Sequence, residues 1–462
     1  MSAEFLSADP ASREALREAA DLVARAVARA AAIPGPRSPL ALTELDPCPE
    51  EGAPLAEVLE DVAPILAGGV RLADPFCVAH LHPPPLLAAA AAELAVGVTN
   101  QSQDAFDGSP AGTLVEDALV RWLAQLHGLG RAGSGVMTLG GTGSNLLGLL
   151  LARDRAGTDV RRAGLPAERD WRIVASGASH DSIRRSAALL GLGTDAVTPV
   201  ATDASGSMSV PALDAALAAP GRVIAIVGTA GTTDLGAIDP LAEIAERAHS
   251  HRAWFHVDAA VGSGLVLSDE LRGRLRGIER ADSITADLHK LWWQPFSASA
   301  LLVPDVARLR AVHHASVYLN RPEDEAEGQL NLVGRSLDTS RRFDALKVLI
   351  ALRTTGRRRL AEIVEHCVAL TGYAARAIEA RPGLTLVAEP QTVMVAFRVP
   401  GGDAANIRVQ RSLFASGRAV LGRTRIHGEV ALKLTLLNPL TTPADVDALL
   451  DLVVSEAAAP AP

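Results

Sequence analysis

Short runs of apolar residues alternate with helical stretches through the middle of the chain, from about residue 76 to residue 309. The runs are rich in β-branched residues and predict strands at residues 172–175, 222–227, 254–258 and 283–286. Helical patterns follow at residues 181–190 and 240–249. Continuously apolar strands that alternate with helices are typical of a mostly parallel sheet covered on both faces. The pattern therefore predicts an α/β fold.

The chain before this region contains two helical patterns. Residues 12–32 combine helical periodicity with Ala-rich faces and stop at the Pro-Gly-Pro breaker of residues 34–36. Residues 54–66 predict a shorter helix that stops near Gly68. Both pieces are too small to fold alone, so we expect the N-terminal helical segment, residues 1–75, to pack on something else, such as a second subunit.

The last third of the chain predicts a small α+β domain. A long helix is expected over residues 340–380, with a break or bend near Gly356. Strands and helices then alternate, with strands at 384–387, 392–399 and 430–436 and helices at 404–416 and 443–455. We therefore expect three parts: the segment 1–75, a large ligand-binding domain at 76–339, and a small C-terminal domain at 340–462.

Composition narrows the class of protein. The 462 residues are 48% hydrophobic and 21% charged, which is the balance of a globular protein with a sizeable core. The formal net charge of −9 argues against a nucleic-acid binder. The three cysteines lie far apart and predict neither disulfides nor a metal site. Because no signal peptide or membrane-length apolar run is recognisable, we expect a cytoplasmic enzyme without a membrane partner.

A lysine directly after a buried strand is the strongest chemical signal. The predicted strand 283–286 is followed within four residues by His289 and Lys290. Desolvation disfavours an ammonium group, and a neutral amine can form an imine with a carbonyl cofactor. The alternative is a surface lysine at the end of a strand. Taken alone, the motif does not decide between the two readings.

Asp258 strengthens the first reading. It ends the strand 254–258, and ligands of open α/β sheets bind outside the carboxyl ends of the strands. Pyridoxal 5'-phosphate (PLP), a carbonyl cofactor, works best when an acid keeps its pyridine nitrogen protonated. The alternative for Asp258 is a helix N-cap. An aspartate on one strand followed one strand later by His-Lys favours the cofactor site.

A glycine-rich turn predicts a phosphate site. The sequence GGTGSN at residues 140–145 precedes a predicted helix at 146–153, which supplies backbone N–H donors and the positive end of a helix dipole. Leu146 stands where a dinucleotide fingerprint has its third glycine, and no Gly-Lys-Ser/Thr of a P-loop is present. One phosphate therefore fits better than a pyrophosphate.

Two further side chains are candidates for the site. His180 follows the strand 172–175 and could stack on a flat cofactor, although a capping or solvent-facing histidine is the alternative. Tyr318, one of two tyrosines, lies in a polar stretch that is typical of a mobile loop and could deliver a proton.

Together these residues resemble a known family, the group II PLP-dependent amino-acid decarboxylases. The resemblance runs from about residue 76 to the C-terminal domain. It rests on HLHPPPL at 80–86, NQSQDAFDGSPAGT at 100–113, ADSITADLHK at 281–290 with QP at 294–295, and LKLTLLNP at 432–439. These stretches are most similar to the branch that acts on 2,4-diaminobutyrate and to siderophore-type lysine and ornithine decarboxylases.

The resemblance implies a role for each candidate residue. Lys290 would carry PLP as a Schiff base, Asp258 would pair with the pyridine nitrogen, and His180 would stack on the ring above Ala260. The phosphate would be held by Gly141, Thr142 and Gly143, with help from His289. Tyr318 would return a proton to the substrate carbon, which favours simple decarboxylation over aldehyde formation.

The resemblance also implies an architecture. Members are fold-type I homodimers, with a mostly parallel seven-stranded sheet, flanking helices and a small C-terminal domain. Their active sites lie at the subunit interface, where the N-terminal segment packs across the dimer. We therefore expect residues 76–339 to be the PLP-binding domain of such a homodimer.

Two departures from the family pattern bear on the substrate. Val261-Gly262-Ser263-Gly264 stands where an aromatic residue and Gly-Gly are usual, and Leu291-Trp292-Trp293 is bulkier than the diamine branch suggests. An amino-acid substrate such as 2,4-diaminobutyrate, lysine or ornithine is the first hypothesis, and a more apolar amino acid is the alternative.

Alternatives to decarboxylation remain open from the sequence. Transamination, aldol cleavage or oxidative deamination would use the same Lys290 and Asp258, and only Tyr318 argues against them. A non-catalytic binding protein is disfavoured by the intact set of candidate residues, and an NAD-dependent enzyme by Leu146.

Overall fold

The backbone is organised around two β-sheets. The computed structural model describes residues 6–7, 10–32, 48–157, 160–167, 170–313 and 319–459. Over these residues the strands are β1 (Cys77–Val78), β2 (Ser134–Thr138), β3 (Trp171–Ser176), β4 (Val197–Val200), β5 (Arg222–Thr229), β6 (Trp254–Asp258), β7 (Ser283–Asp287), β8 (Ser299–Val303), β9 (Thr385–Leu386), β10 (Met394–Arg398), β11 (Val420–Ile426) and β12 (Glu429–Thr435).

The larger sheet has seven strands in the order β2–β8–β7–β6–β5–β3–β4. Neighbours from β4 to β7 run parallel, whereas β8 is antiparallel to both β7 and β2. The register aligns Thr229 with Asp258 and Asp258 with Thr285, so the carboxyl ends of β5, β6 and β7 lie at the same edge. The predicted α/β fold with a mostly parallel seven-stranded sheet is confirmed.

Helices lie between most of the strands along the chain. They are α1 (Pro10–Ala32), α2 (Leu55–Ala67), α3 (Leu87–Thr99), α4 (Pro110–Leu126), α5 (Gly141–Ala156), α6 (Val160–Ala163), α7 (Ser182–Leu189), α8 (Val210–Ala218), α9 (Leu241–Ser250), α10 (Pro322–Ala326), α11 (Ala345–Glu379), α12 (Gly402–Ala415) and α13 (Pro443–Ala458). No helix of the described ranges combines the length and apolar character that crossing a bilayer requires.

Both faces of the larger sheet are buried. Along β5, Ile226 packs into one hydrophobic cluster, whereas Ala225 and Val227 pack into another on the opposite face. Successive side chains of a strand point to opposite faces, so a strand that is covered on both sides must be apolar throughout. This is the physical reason for the continuous apolar runs in the sequence.

The smaller sheet has the order β1–β11–β12–β10–β9 and packs with α11, α12 and α13 around its own core. Within α11 the helix breaks at Gly356, whose φ of 75° lies in the left-handed region that glycine adopts readily, which confirms the predicted break. Strand β1 joins this sheet by pairing with β11, although residue 77 lies in the expected large domain. The domain boundaries after residues 75 and 339 stay a prediction.

The two N-terminal helices form where the sequence pattern predicts them, and they pack against each other. Val23 and Val27 of α1 and Leu55 and Val58 of α2 remain exposed. Apolar side chains on an exposed helix face are suited to a contact with another surface.

Candidate active site

A cavity of about 380 Å³ lies at the carboxyl ends of β5, β6 and β7, beside the first turn of α5. Eight of the nine residues that the sequence singled out line this cavity: Gly141, Thr142, Gly143, His180, Asp258, Ala260, His289 and Lys290. The ninth, Tyr318, lies outside the described residues. Residues that are distant in sequence thus meet at one sheet edge, where α/β proteins bind their ligands.

Lys290 follows β7 through a tight turn that returns its side chain toward the end of the strand. Its Nζ lies 2.9 Å from Oδ2 of Asp287, and the Lys290 side chain is 18% exposed. Oδ1 of the buried Asp287 accepts a hydrogen bond from the Ser299 hydroxyl at 2.6 Å. A largely buried ammonium needs such a partner, because desolvation of an unpaired charge is costly.

His289 lies beside this ion pair. Its Nδ1 is 2.9 Å from the carbonyl oxygen of Ala298, and its Nε2 is 3.5 Å from Oδ2 of Asp287. Burial lowers the pKa of His289, and the negative charge of Asp287 opposes this shift only in part. The ring of Phe296 packs on the imidazole with the centroids 4.2 Å apart.

Asp258 is 4% exposed and has its carboxylate fixed on both oxygens. Oδ1 accepts the backbone N–H of Ala260 at 3.1 Å, and Oδ2 accepts a hydrogen bond from Nδ2 of Asn145 at 2.9 Å. The N-cap alternative does not describe it, because the next helical turn begins at Gly262 and its N-cap is Val261. A carboxylate held in this way can face a cationic or N–H group in the cavity.

His180 lies at the open side of the cavity with an exposed ring. Its Nδ1 accepts the backbone N–H of Ser182 at 3.2 Å and lies 2.8 Å from the Ser182 hydroxyl oxygen. Since Nδ1 is an acceptor, the proton of the neutral ring is on Nε2. The ring is therefore oriented by its own loop and stays accessible to a flat ligand.

The glycine-rich turn belongs to the helix itself. Helix α5 begins at Gly141 and not at residue 146, so Gly141, Thr142 and Gly143 form its first turn, whose N–H groups have no intrahelical acceptor. A Cβ at Gly141 would lie 2.9 Å from both carboxylate oxygens of Asp287, which explains the glycine there. A Cβ at Gly143 would meet no protein atom within 4 Å. This first turn has the donors and the open space that a phosphate group requires.

Sequence reasoning assigned no role to several residues that line the cavity, among them Asn145, Asp287 and Phe296. Asp287 stands three residues before Lys290, a spacing that brings two side chains to the same side of a turn. Asn145 stands four residues after Gly141 and therefore one helical turn further along α5. Phe296 carried no signal, because its place depends on the return of the chain after β7.

The aromatic residues after Lys290 lie elsewhere than expected. Leu291, Trp292 and Trp293 are buried in the core and do not line the described cavity. The indole N–H groups of Trp292 and Trp293 donate to the Ser263 hydroxyl at 3.1 Å and to the Leu437 carbonyl at 2.9 Å. Their bulk therefore fills the core, and these three residues give no support to a more apolar substrate. Val261 alone among the departures lines the cavity.

An amine, a buried carboxylate, an imidazole and a helix N-terminus around one cavity make up the donor set of a PLP enzyme. The amine suits the aldehyde of PLP, the carboxylate its ring nitrogen, and the glycine-rich turn its phosphate. The residues present fit the cofactor.

Comparison with known proteins identifies the family. Residues 38–400 match the pyridoxal-dependent decarboxylase conserved domain, so the chain belongs to this family and is a PLP-dependent carboxy-lyase that acts on an amino acid. It is 42% identical to the L-2,4-diaminobutyrate decarboxylase of Rhizobium meliloti over 457 residues, which covers 96% of this chain and 90% of the relative. An L-2,4-diaminobutyrate decarboxylase of Acinetobacter baumannii is 41% identical, with 84% and 81% covered.

A solved structure extends the similarity to the fold. It is the glutamate decarboxylase domain of diaminobutyrate-pyruvate transaminase and L-2,4-diaminobutyrate decarboxylase from Vibrio parahaemolyticus. The TM-score is 0.89 at 34% sequence identity, and the alignment covers 98% of both chains. The fold-type I architecture expected from the sequence is confirmed.

Proposed function

We propose that this enzyme removes the α-carboxyl group of L-2,4-diaminobutyrate and releases 1,3-diaminopropane and carbon dioxide. The observation that supports this substrate is the 42% identity to an L-2,4-diaminobutyrate decarboxylase over nearly the whole chain. Lysine and ornithine, which carry the same two amino groups further apart, are the second candidates.

The proposed roles of the site residues follow from their chemistry. Bound PLP supplies the electron sink for the electrons that the departing carboxyl group leaves behind. Lys290 would hold the cofactor covalently through its amine, and Gly141, Thr142 and Gly143 would hold the phosphate. Asp258 would keep a proton on the ring nitrogen.

The remaining residues orient the reactants. His180 and Ala260 would pack on opposite faces of the cofactor ring and keep it flat against the substrate. The pocket would then contribute to the rate through how it orients the bond between Cα and the carboxyl group. His289 would assist at the phosphate, and Tyr318 would deliver the proton that replaces the carboxyl group at Cα.

We also propose that the enzyme is a cytoplasmic homodimer with active sites at the subunit interface. Two features support the dimer. Helices α1 and α2 expose Val23, Val27 and Val58, as a segment that packs across a dimer would do before association. Leu139 and Phe296 line the cavity and are nevertheless 65% and 51% exposed, which leaves one wall of the site to another chain.

The experiment that tests this function is a substrate panel. Full-length, PLP-loaded protein is incubated with L-2,4-diaminobutyrate, lysine, ornithine, glutamate and cysteine sulfinate, and the amines are identified by mass. We expect 1,3-diaminopropane and carbon dioxide in equal amounts, without keto acid or peroxide. A faster reaction with another amino acid would contradict the proposed substrate. A keto acid or peroxide product would contradict simple decarboxylation.

A further inference from the structure

The side chain of Asn145 forms hydrogen bonds at all four of its positions, although it is only 1% exposed. Nδ2 donates to Oδ2 of Asp258 at 2.9 Å and to the hydroxyl of Ser182 at 2.8 Å. Oδ1 accepts from the Thr285 hydroxyl at 2.7 Å and lies 2.9 Å from Nε2 of His256. One amide on α5 therefore joins the ends of β6 and β7 to the start of α7.

The orientation of this amide is fixed by its partners. An ionised carboxylate only accepts hydrogen bonds, so the NH₂ group of Asn145 must face Asp258 and its carbonyl must face His256. Burial lowers the pKa of His256 to about 4, and the neutral ring donates from Nε2. Its Nδ1 then accepts from the Ser283 hydroxyl at 2.8 Å, which in turn accepts the indole N–H of Trp254 at 2.7 Å. Each hydrogen bond in this series, from Asp258 to Trp254, therefore pairs one donor with one acceptor.

The second N–H of Asn145 reaches the other side of the cavity. The Ser182 hydroxyl accepts it and lies 2.8 Å from Nδ1 of His180, so it can donate a hydrogen bond to that nitrogen. The same amide therefore fixes the carboxylate of Asp258 and supports the ring orientation of His180. Neither contact involves the backbone of α5, so the side chain of residue 145 controls both.

We propose that Asn145 is a positioning residue that holds Asp258 as a pure hydrogen-bond acceptor toward the ring nitrogen of PLP. This inference rests on the proposed function, in which Asp258 pairs with that nitrogen. Two N–H donors hold the two oxygens of Asp258 in place, and a carboxylate oriented in this way can accept the N–H of a protonated ring. Asn145 acts through Asp258 and does not itself react.

The variant Asn145→Asp tests this role, because it keeps the shape of the side chain. The oxygen that replaces Nδ2 would face the Asp258 carboxylate, and two carboxylates at that distance must share a proton. Asp258 would then no longer be a pure acceptor. The Oδ1 contacts to His256 and Thr285 would remain.

The probe that separates positioning from packing is 1-deazapyridoxal 5'-phosphate, which has carbon in place of the ring nitrogen. Full-length protein freed of cofactor is titrated with PLP and with this analogue, and the ratio of the two dissociation constants is compared between variants. We expect the native protein to bind PLP more tightly than the analogue. In Asn145→Asp this preference should fall roughly tenfold, which corresponds to the free energy of one hydrogen bond to a charged group. Asn145→Ser, which shortens the side chain without adding charge, should lose the preference as well and serves if Asn145→Asp does not fold.

A matched control is Asn406→Ala. Asn406, in α12, is also 1% exposed and forms hydrogen bonds with the backbone of Val399 and Gly402, away from the cavity. It should lower the thermal unfolding midpoint and leave the ratio unchanged. A ratio that stays native in both Asn145 variants would overturn the positioning role. A native protein without any preference for PLP would overturn the pairing of Asp258 with the ring nitrogen, and with it the proposed role of that residue.

Discussion

The Nζ atom of Lys290 lies 2.9 Å from Oδ2 of Asp287, and the two side chains form an ion pair within one turn at the wall of the cavity. The pair explains how the side chain of Lys290 can lie largely buried at this wall before the cofactor is attached. The sequence contains only two other lysines, Lys347 and Lys433, and both are buried. Lys290 is therefore the lysine most open to chemistry from the cavity.

The variant Asp287→Asn should make Lys290 more reactive in protein freed of cofactor. Without the carboxylate, Nζ loses an ion-pair contact worth about 1.5–3 kcal/mol and is no longer held at the wall of the cavity, so labelling should be roughly tenfold faster. The measurement is the rate of labelling by trinitrobenzenesulfonate at neutral pH, with peptide mapping. Asp269→Asn is the control, because it removes a carboxylate that pairs with Arg357 in an exposed position. Equal labelling rates in Asp287→Asn and native protein would contradict a partner role for Asp287.

The variant Lys290→Ala should abolish covalent attachment of PLP and all turnover. Reduction of the loaded native protein with borohydride should add the cofactor to one peptide, the one that contains Lys290. The same treatment of Lys290→Ala should label no peptide. Lys290→Arg keeps a positive charge next to Asp287 and separates the loss of the amine from the loss of the ion pair. Labelling at Lys347 or Lys433 in native protein would refute the assignment.

The pH dependence of stability should carry the signature of a buried histidine. His127 is 2% exposed, its Nδ1 lies 2.7 Å from the carbonyl oxygen of Leu123, and burial lowers its pKa from 6.5 to about 4. Between pH 6.5 and pH 4, His127 binds a proton in the unfolded state but not in the folded state. His127 therefore does not lower the free energy of unfolding above pH 6.5. As the pH falls toward 4 it lowers this free energy, by about 2–3 kcal/mol at pH 4.5.

The variant His127→Asn tests this prediction, because its amide can still donate to the Leu123 carbonyl but does not titrate. Its unfolding midpoint should fall less between pH 7 and pH 4.5 than that of the native protein. His249→Asn, which replaces an exposed histidine of α9, should fall as the native protein does. Parallel pH curves for His127→Asn and the native protein would mean that His127 does not carry the acid sensitivity.

The sequence predicts β3, β5, β6 and β7 of the larger sheet from their apolar runs, and it misses β2, β4 and β8 of the same sheet. It misses β11, because Arg423 and Arg425 alternate with buried residues there and weaken the apolar signal. The sequence pattern also places the start of α5 five residues late, because glycines at the start of a helix are typical of a loop. Their N–H groups are available to a ligand because they belong to the helix.

The residues that would contact the cofactor are easier to predict from the sequence than the residues that hold them in place. Lys290 and Asp258 stand out because a charged residue at the end of an apolar strand is unusual. Asn145 does not stand out, because its four partners lie 37 to 140 residues away in sequence and meet only in the folded sheet. Contacts of this kind are fixed by strand register and not by local pattern.

The phosphate site can be tested with a single methyl group at Gly143, the third residue of α5. The Cβ of Gly143→Ala would meet no protein atom within 4 Å, so it would occupy space on the cavity side without disturbing the fold. Within a helix, alanine is more stable than glycine by about 0.5–1 kcal/mol. The variant should therefore unfold at the same or a slightly higher temperature and yet bind PLP roughly tenfold more weakly. Pyridoxal, which lacks the phosphate, should bind both proteins equally, and Gly97→Ala in α3 is the control for helix stabilisation alone. An equal loss of affinity for PLP and pyridoxal would place the phosphate away from the first turn of α5.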